Sequence, residues 1–159
     1  MDDLKKQEIA KSVFEGICSC FDASDIRYDK NAEELKIEIG IRGEDFPIDI
    51  NLVVDAKRCL VLLFSRLSVK VPDDKRLDLA MAVSSVNDQL VHGGFDYDIQ
   101  EGRIYFRITN SYVDSNIDNG VYIHLLRCVA SVVHNYIDKF MMLSKGYMDL
   151  EKFLLGENS

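Results

Sequence analysis

Two stretches of strict alternation constrain this chain more than any other feature of it. From Leu35 to Arg42, the apolar residues Leu35, Ile37, Ile39 and Ile41 interleave with Lys36, Glu38, Gly40 and Arg42. From Ile48 to Val54 the period returns, with Ile48, Ile50, Leu52 and Val54 on one side and Asp49 and Asn51 on the other. Side chains on a strand point to opposite faces in turn, so each stretch reads as a strand with one buried face. Gly43-Glu44-Asp45 forms the turn between them, and Pro47 opens the second strand.

A further turn at Asp55-Ala56-Lys57-Arg58 leads into a third run, Cys59 to Ser68, that breaks the alternation. Leu60, Leu62 and Phe64 are assigned to the core side, but Val61 and Leu63 are apolar as well. A strand apolar on both faces is expected to be covered on both. A short strand at Ile26 to Tyr28 is expected ahead of these three.

Helical periodicity flanks the strands. Residues 4 to 21 place Ile9, Val13, Ile17 and Phe21 on one stripe, with Phe14 and Cys20 beside it. Pro72-Asp73 opens a second helix with Asp73 as its N-cap and Leu79, Val83, Val86 and Leu90 as its buried stripe. Gly93-Gly94 ends it, one of the two in the left-handed conformation. A hairpin then runs Phe95 to Gln100, turns at Glu101-Gly102 and returns along Arg103 to Thr109. A two-residue turn sets Ile99 opposite Ile104, Tyr97 opposite Phe106 and Asp96 opposite Arg107, which makes one face apolar and pairs opposite charges on the other. The last helix runs from about Gly120 to Leu143, with a tail that resumes through Leu155 after Gly146. The order α-β-β-β-α-β-β-α, with sequential hairpins between helices, predicts an α+β fold on an antiparallel sheet, one domain over residues 1–159.

The net charge of −8 over 159 residues disfavours nucleic acid and anionic membrane as partners. No apolar run approaches the ~20 residues that span a bilayer. The N-terminus lacks the basic and apolar regions of a secretory signal, so a cytoplasmic location is expected. Cys18, Cys20, Cys59 and Cys128 then read as buried, reduced thiols.

Candidate chemistry is sparse. Asp114 to Gly120 resembles the start of a calcium loop, but Leu125 stands where the bidentate glutamate belongs. The plainer reading is a turn in which Asp118 or Asn119 caps the last helix. Asp96 and Asp98 alternate on one strand face, opposite Arg103 and Arg107. His92, His124 and His134 are scattered; His124 and Cys128 lie one helical turn apart, two ligands short of a zinc site. His92-Gly93-Gly94 lacks the nucleophile elbow that an esterase would need. An enzyme that binds a small molecule or metal would have to use Asp96 and Asp98, or His92 and His124. No catalytic residue, metal or cofactor is expected.

The last helix carries more apolar residues than one sheet requires. Val121, Leu125, Val129, Val132, Tyr136 and Phe140 fill one side. Tyr122, Leu126, Val133, Ile137, Met141 and Met142 extend around the next. These six, with Val61 and Leu63 of the doubly apolar strand, are the candidate protein-binding residues, for a second copy or another polypeptide.

The second helix, double glycine and hairpin read as one block: Leu79-Ala-Met-Ala-Val-Ser-Ser-Val-Asn87-Asp-Gln-Leu90-Val-His-Gly93-Gly94-Phe95-Asp-Tyr97, then Gly102-Arg103-Ile-Tyr105-Phe106-Arg107. This block resembles the YbjN family of bacterial sensory transduction regulator domains, with its helix asparagine, its glycine-phenylalanine step into a strand and its charged hairpin turn. The sequence departs from the family in a more Asn/Asp-rich region after Thr109 and a longer tail. The resemblance implies a fold like that of type III secretion chaperones, which are small, acidic, dimeric proteins that bind polypeptides without catalysis. It implies no catalytic residue. The reading is therefore a protein-binding, regulatory or chaperone-like module, expected as a homodimer.

Overall fold

The computed structural model describes residues 2–43, 45–113 and 118–156. Helix α1 spans Asp3–Ala23. Strands β1 (Asp29–Asn31), β2 (Lys36–Arg42), β3 (Pro47–Asp55) and β4 (Leu60–Arg66) follow. A 3₁₀ turn at Asp73–Lys75 leads into α2 (Arg76–Gln89), then β5 (Gly94–Asp98), β6 (Arg103–Ser111), α3 (Gly120–Ser144) and α4 (Leu150–Gly156). The strands form one antiparallel sheet in the order β1-β2-β3-β4-β6-β5, and the fold is α+β, as the alternation requires.

Register decides which face each residue takes. Ile37, Leu52, Leu63 and Ile108 form one row across the sheet, and Ile39, Ile50, Ser65, Phe106 and Phe95 the next. Every one of these is buried. The rows between them, Lys36-Val53-Leu62-Thr109 and Glu38-Asn51-Phe64-Arg107, point the other way. No residue of those outward rows is buried. The helices therefore sit on one face, and the other is open.

This corrects the assignment of β4. Val61 and Leu63 are the inward residues, each 0% exposed, while Leu60, Leu62 and Phe64 point outward and are half-buried. The alternating strand β3 has no choice of face, and β4 inherits its own from the pairs Leu52 with Leu63 and Val53 with Leu62.

Helix α3 lies across the middle of the inner face. It packs on β3, β4 and β6 and is flanked by α1, α2 and α4. Its apolar excess goes into this central position: Tyr122, Leu126, Val133 and Ile137 are buried, as are Leu125, Val129, Phe140 and Leu143. His124, Arg127, Ser131, His134, Asn135 and Asp138 make up its exposed side. The tail folds back through α4, where Phe153 stacks on Phe140 at 5.8 Å between ring centroids. Phe140 in turn meets Phe95 edge-on at 5.2 Å, joining tail, α3 and hairpin. Among the described residues no helix is long and apolar enough to cross a membrane.

Several local expectations shift. The hairpin pairs Tyr97 with Ile104, Phe95 with Phe106 and Asp98 with Arg103, two residues from the expected register. Its loop is longer because the Asp98 carboxylate accepts from the N–H groups of Gln100 and Glu101, each at 3.1 Å, while Gly102 N–H donates to the Asp98 carbonyl at 2.7 Å. The two-residue slip keeps every side chain on its expected face, but it puts Ile99 in the exposed loop. Among the described residues Asp73 caps no N–H with its side chain, and it pairs with Arg76 at 2.6 Å instead. Helix α2 stops at Gln89, where Leu90 turns extended, ahead of the left-handed Gly93. Asp118, as one of the two expected caps, accepts from Gly120 N–H at 2.8 Å. The four cysteines are free; Cys18 and Cys59 are buried, Cys20 and Cys128 only half-buried.

The first strand also starts late. Ile26 N–H donates to the Phe21 carbonyl, and Tyr28 Oη donates to Asp22 Oδ1 at 2.8 Å, within 3.3 Å of the Cys18 carbonyl. These bonds tie residues 26 to 28 back to the end of α1 and hold them off β2. Burial, then the bonds to Asp22 and Cys18, push the Tyr28 phenol well above its ordinary pKa.

Candidate functional site

The four groups that an enzyme would have to use, Asp96, Asp98, His92 and His124, do not converge on one site. Asp96 accepts two hydrogen bonds from Arg107, at 2.6 Å from Nε and 3.0 Å from Nη2, and these bonds hold the guanidinium above even its usual high pKa. Asp98 is shared between its turn amides and Arg103, 3.5 Å away. His92 and Asp96 do line one cavity of about 340 Å³, with Asn87 and Arg107. His124 is elsewhere, on the exposed side of α3, with Nε2 3.5 Å from Cys128 Sγ. Among the described residues no three His, Cys, Asp or Glu side chains are grouped to hold a metal. Residues 114–117 of the acidic loop lie outside the described residues.

Nor do the candidate protein-binding residues form a surface. Tyr122, Leu126, Val133, Ile137, Val61 and Leu63 are in the core, because the central helix and inward strand rows consume them. Met141 is half-buried, and only Met142, 38% exposed, reaches solvent freely.

What the fold leaves available is the outer face of the sheet. Its centre is the outward side of β4, Leu60, Leu62 and Phe64, with Val53 beside Leu62. Tyr105 continues the apolar strip onto β6. Polar groups surround it: Lys36, Glu38, Asp49, Arg66, Asp96 and Arg107. An apolar middle inside a charged rim is the anatomy of a polypeptide interface. The signal for this site was the doubly apolar run from Cys59 to Phe64; only the choice of face was hidden.

A second feature lies where residues 24 to 27 peel away from β2. There a cleft of about 310 Å³ opens between that segment, the end of β2 and α3. Ile26, Ile41, Ile123 and Ala130 are half-exposed within it, and Arg27 and Arg127 stand at its rim. Three separate segments build this cleft, and nothing in the local sequence announces it.

The family model described as "YbjN: Putative bacterial sensory transduction regulator" matches residues 15–141. No curated protein matches the sequence. Among solved structures, the chain is similar to YbjN from E. coli, with 12% identity and a TM-score of 0.56, covering 74% of this chain and 82% of that one. It is similar to the ExsC–ExsE complex, at 12% identity and TM-score 0.51 over 84% of this chain and 93% of the other. The HopA1–SchA chaperone–effector complex gives 12% identity and TM-score 0.50, covering 84% and 96%. Identities this low establish the shared fold alone.

Proposed function

The chain belongs to the YbjN family, and from that membership we propose that it is a polypeptide-binding module, regulatory or chaperone-like, that works without catalytic chemistry. The observation that carries this reading is the open outer face of the sheet. Sheets with one solvated face normally place polar residues there, yet the central strand offers Leu60, Leu62 and Phe64. Covering that strip removes apolar area from water, which favours association. Two proteins of the same fold were solved with a polypeptide bound, ExsC with ExsE and SchA with HopA1, which is in keeping with this use of the scaffold.

The partner includes, in this proposal, a second copy of the chain. A two-fold axis would set one β4 strip against another and bury both. Sedimentation velocity at low micromolar concentration distinguishes self-association from binding to a different polypeptide.

The test of the reading is affinity capture from the native cells with the wild type and with a Leu62→Asp/Phe64→Asp variant, its fold checked by circular dichroism. The wild type is expected to retain a polypeptide that the folded variant loses. Equal retention by both would refute the outer face as the binding surface.

A further inference from the structure

We propose that the cleft at the end of β2 takes an extended acidic segment of a partner polypeptide, with an apolar side chain seated between β2 and α3 and neighbouring carboxylates on Arg27 and Arg127. This rests on the polypeptide-binding reading and adds the chemistry of what is bound.

The backbone points to a polypeptide. Strand β1 pairs only with Lys36, Ile37 and Glu38, so the last four residues of β2 have a strand on one side alone. Val54 N–H donates to the Leu35 carbonyl at 3.0 Å, which sets the alternation along β2. Ile37, Ile39 and Ile41 therefore bond β3, and the N–H and C=O groups of Gly40 and Arg42 face the open edge. Neither has a backbone partner there among the described residues. An unpaired strand edge is a template for another extended chain. Tyr28, bonded to Asp22, keeps the preceding segment from closing over it.

The side chains specify what kind of chain. Arg58, Arg76, Arg103 and Arg107 are each paired with an aspartate. Arg27 and Arg127, both on the cleft, have no ion-pair partner among the described residues, in a chain of net charge −8. A carboxylate at the rim would meet two uncommitted guanidinium groups, whose planar forks suit it. Below them the half-exposed Ile26, Ile41, Ile123 and Ala130 have room for one apolar side chain.

The test uses three capped hexapeptides against ¹⁵N-labelled full-length protein: alternating isoleucine and aspartate, alternating isoleucine and lysine, and alternating serine and aspartate. The isoleucine–aspartate peptide is expected to shift the amides of Gly40, Arg42 and Ala130 and to bind about tenfold or more tighter than the other two. Arg27→Glu/Arg127→Glu should lose that advantage, while Lys152→Glu, exposed on α4 and away from both the cleft and the outer face of the sheet, should keep it. Equal binding of the lysine peptide, or no shift from any peptide at ~1 mM, would overturn the proposal. So would shifts caused by dodecanoate and by no peptide, which would give the cleft to a small amphiphile. Shifts confined to Leu62 and Phe64 would remove the cleft but leave polypeptide binding standing. Failure of the parent reading shows itself separately, as undiminished capture by the Leu62→Asp/Phe64→Asp variant.

Discussion

The side-chain amide of Asn87 on α2 makes two main-chain hydrogen bonds with Phe95 on β5: Oδ1 accepts from the N–H at 2.8 Å, and Nδ2 donates to the carbonyl at 2.9 Å. Strand β5 is the edge of the sheet opposite β1, and these bonds occupy a donor and an acceptor that an edge would otherwise present. The two edges thus differ, one closed by an asparagine and the other open beyond β1. Asn87→Ala leaves both Phe95 groups unpaired and should lower stability by about 1–3 kcal/mol in urea denaturation. An unchanged midpoint would show that water replaces the amide at no cost.

Gly93 and Gly94 should respond differently to alanine. Gly93 has φ +77°, and a Cβ there would fall 2.5 Å from Ile108 Cγ1 and 2.8 Å from the Arg107 carbonyl. The strain and the clash together predict a loss of about 2 kcal/mol or more. At Gly94 the nearest atom is Asn87 Oδ1 at 3.5 Å, an ordinary contact, so Gly94→Ala should change stability by less than about 1 kcal/mol. Thermal melts of the two single variants check the contrast.

Ser65 is 0% exposed in the inward row between Ile50 and Phe106, and its Oγ has no hydrogen-bond partner among the described residues. A buried hydroxyl without a partner costs about 1–3 kcal/mol. Ser65→Ala keeps the volume nearly unchanged and should raise stability by about 1 kcal/mol; a lower melting temperature would reveal a partner for the hydroxyl.

Alkaline pH should unfold the protein through its tyrosines. Burial, followed by the nearby Cys59 and Asp55, pushes Tyr112 up to about 12, and burial also raises Tyr28, Tyr97 and Tyr122. The folded state favours the neutral phenol, so its contribution is complete below the unfolded pKa of about 10 and is lost as pH rises through the folded value near 12. Urea midpoints should be insensitive to these groups below about pH 10 and fall above it, less steeply in Tyr112→Phe.

Alternation made much of this fold legible. Ile48, Ile50, Leu52 and Val54 could be assigned to the core because the polar residues between them exclude the other choice. Strand β4 offers no such contrast, and its face follows from pairing with β3 and β6, which is long-range information. The same limit explains α3. Its apolar residues on two adjacent sides imply either a central position or a partner, and only the flanking α1, α2 and α4 show that the position is central. Hairpin register failed by two residues because the Asp98 side chain lengthens the loop, a contact that leaves hydropathy unchanged. Sequence alone therefore could not separate the outward residues of β4, Leu60, Leu62 and Phe64, from the inward Val61 and Leu63.

Site-specific photocrosslinking tests the central claim most directly. A benzophenone amino acid replaces Leu62 on the open face, or Ser131 on the polar side of α3, in full-length protein expressed in its native cells. The account predicts a polypeptide adduct, a second copy or another protein, from position 62 and none from position 131. Adducts from position 131 with none from position 62 would contradict it.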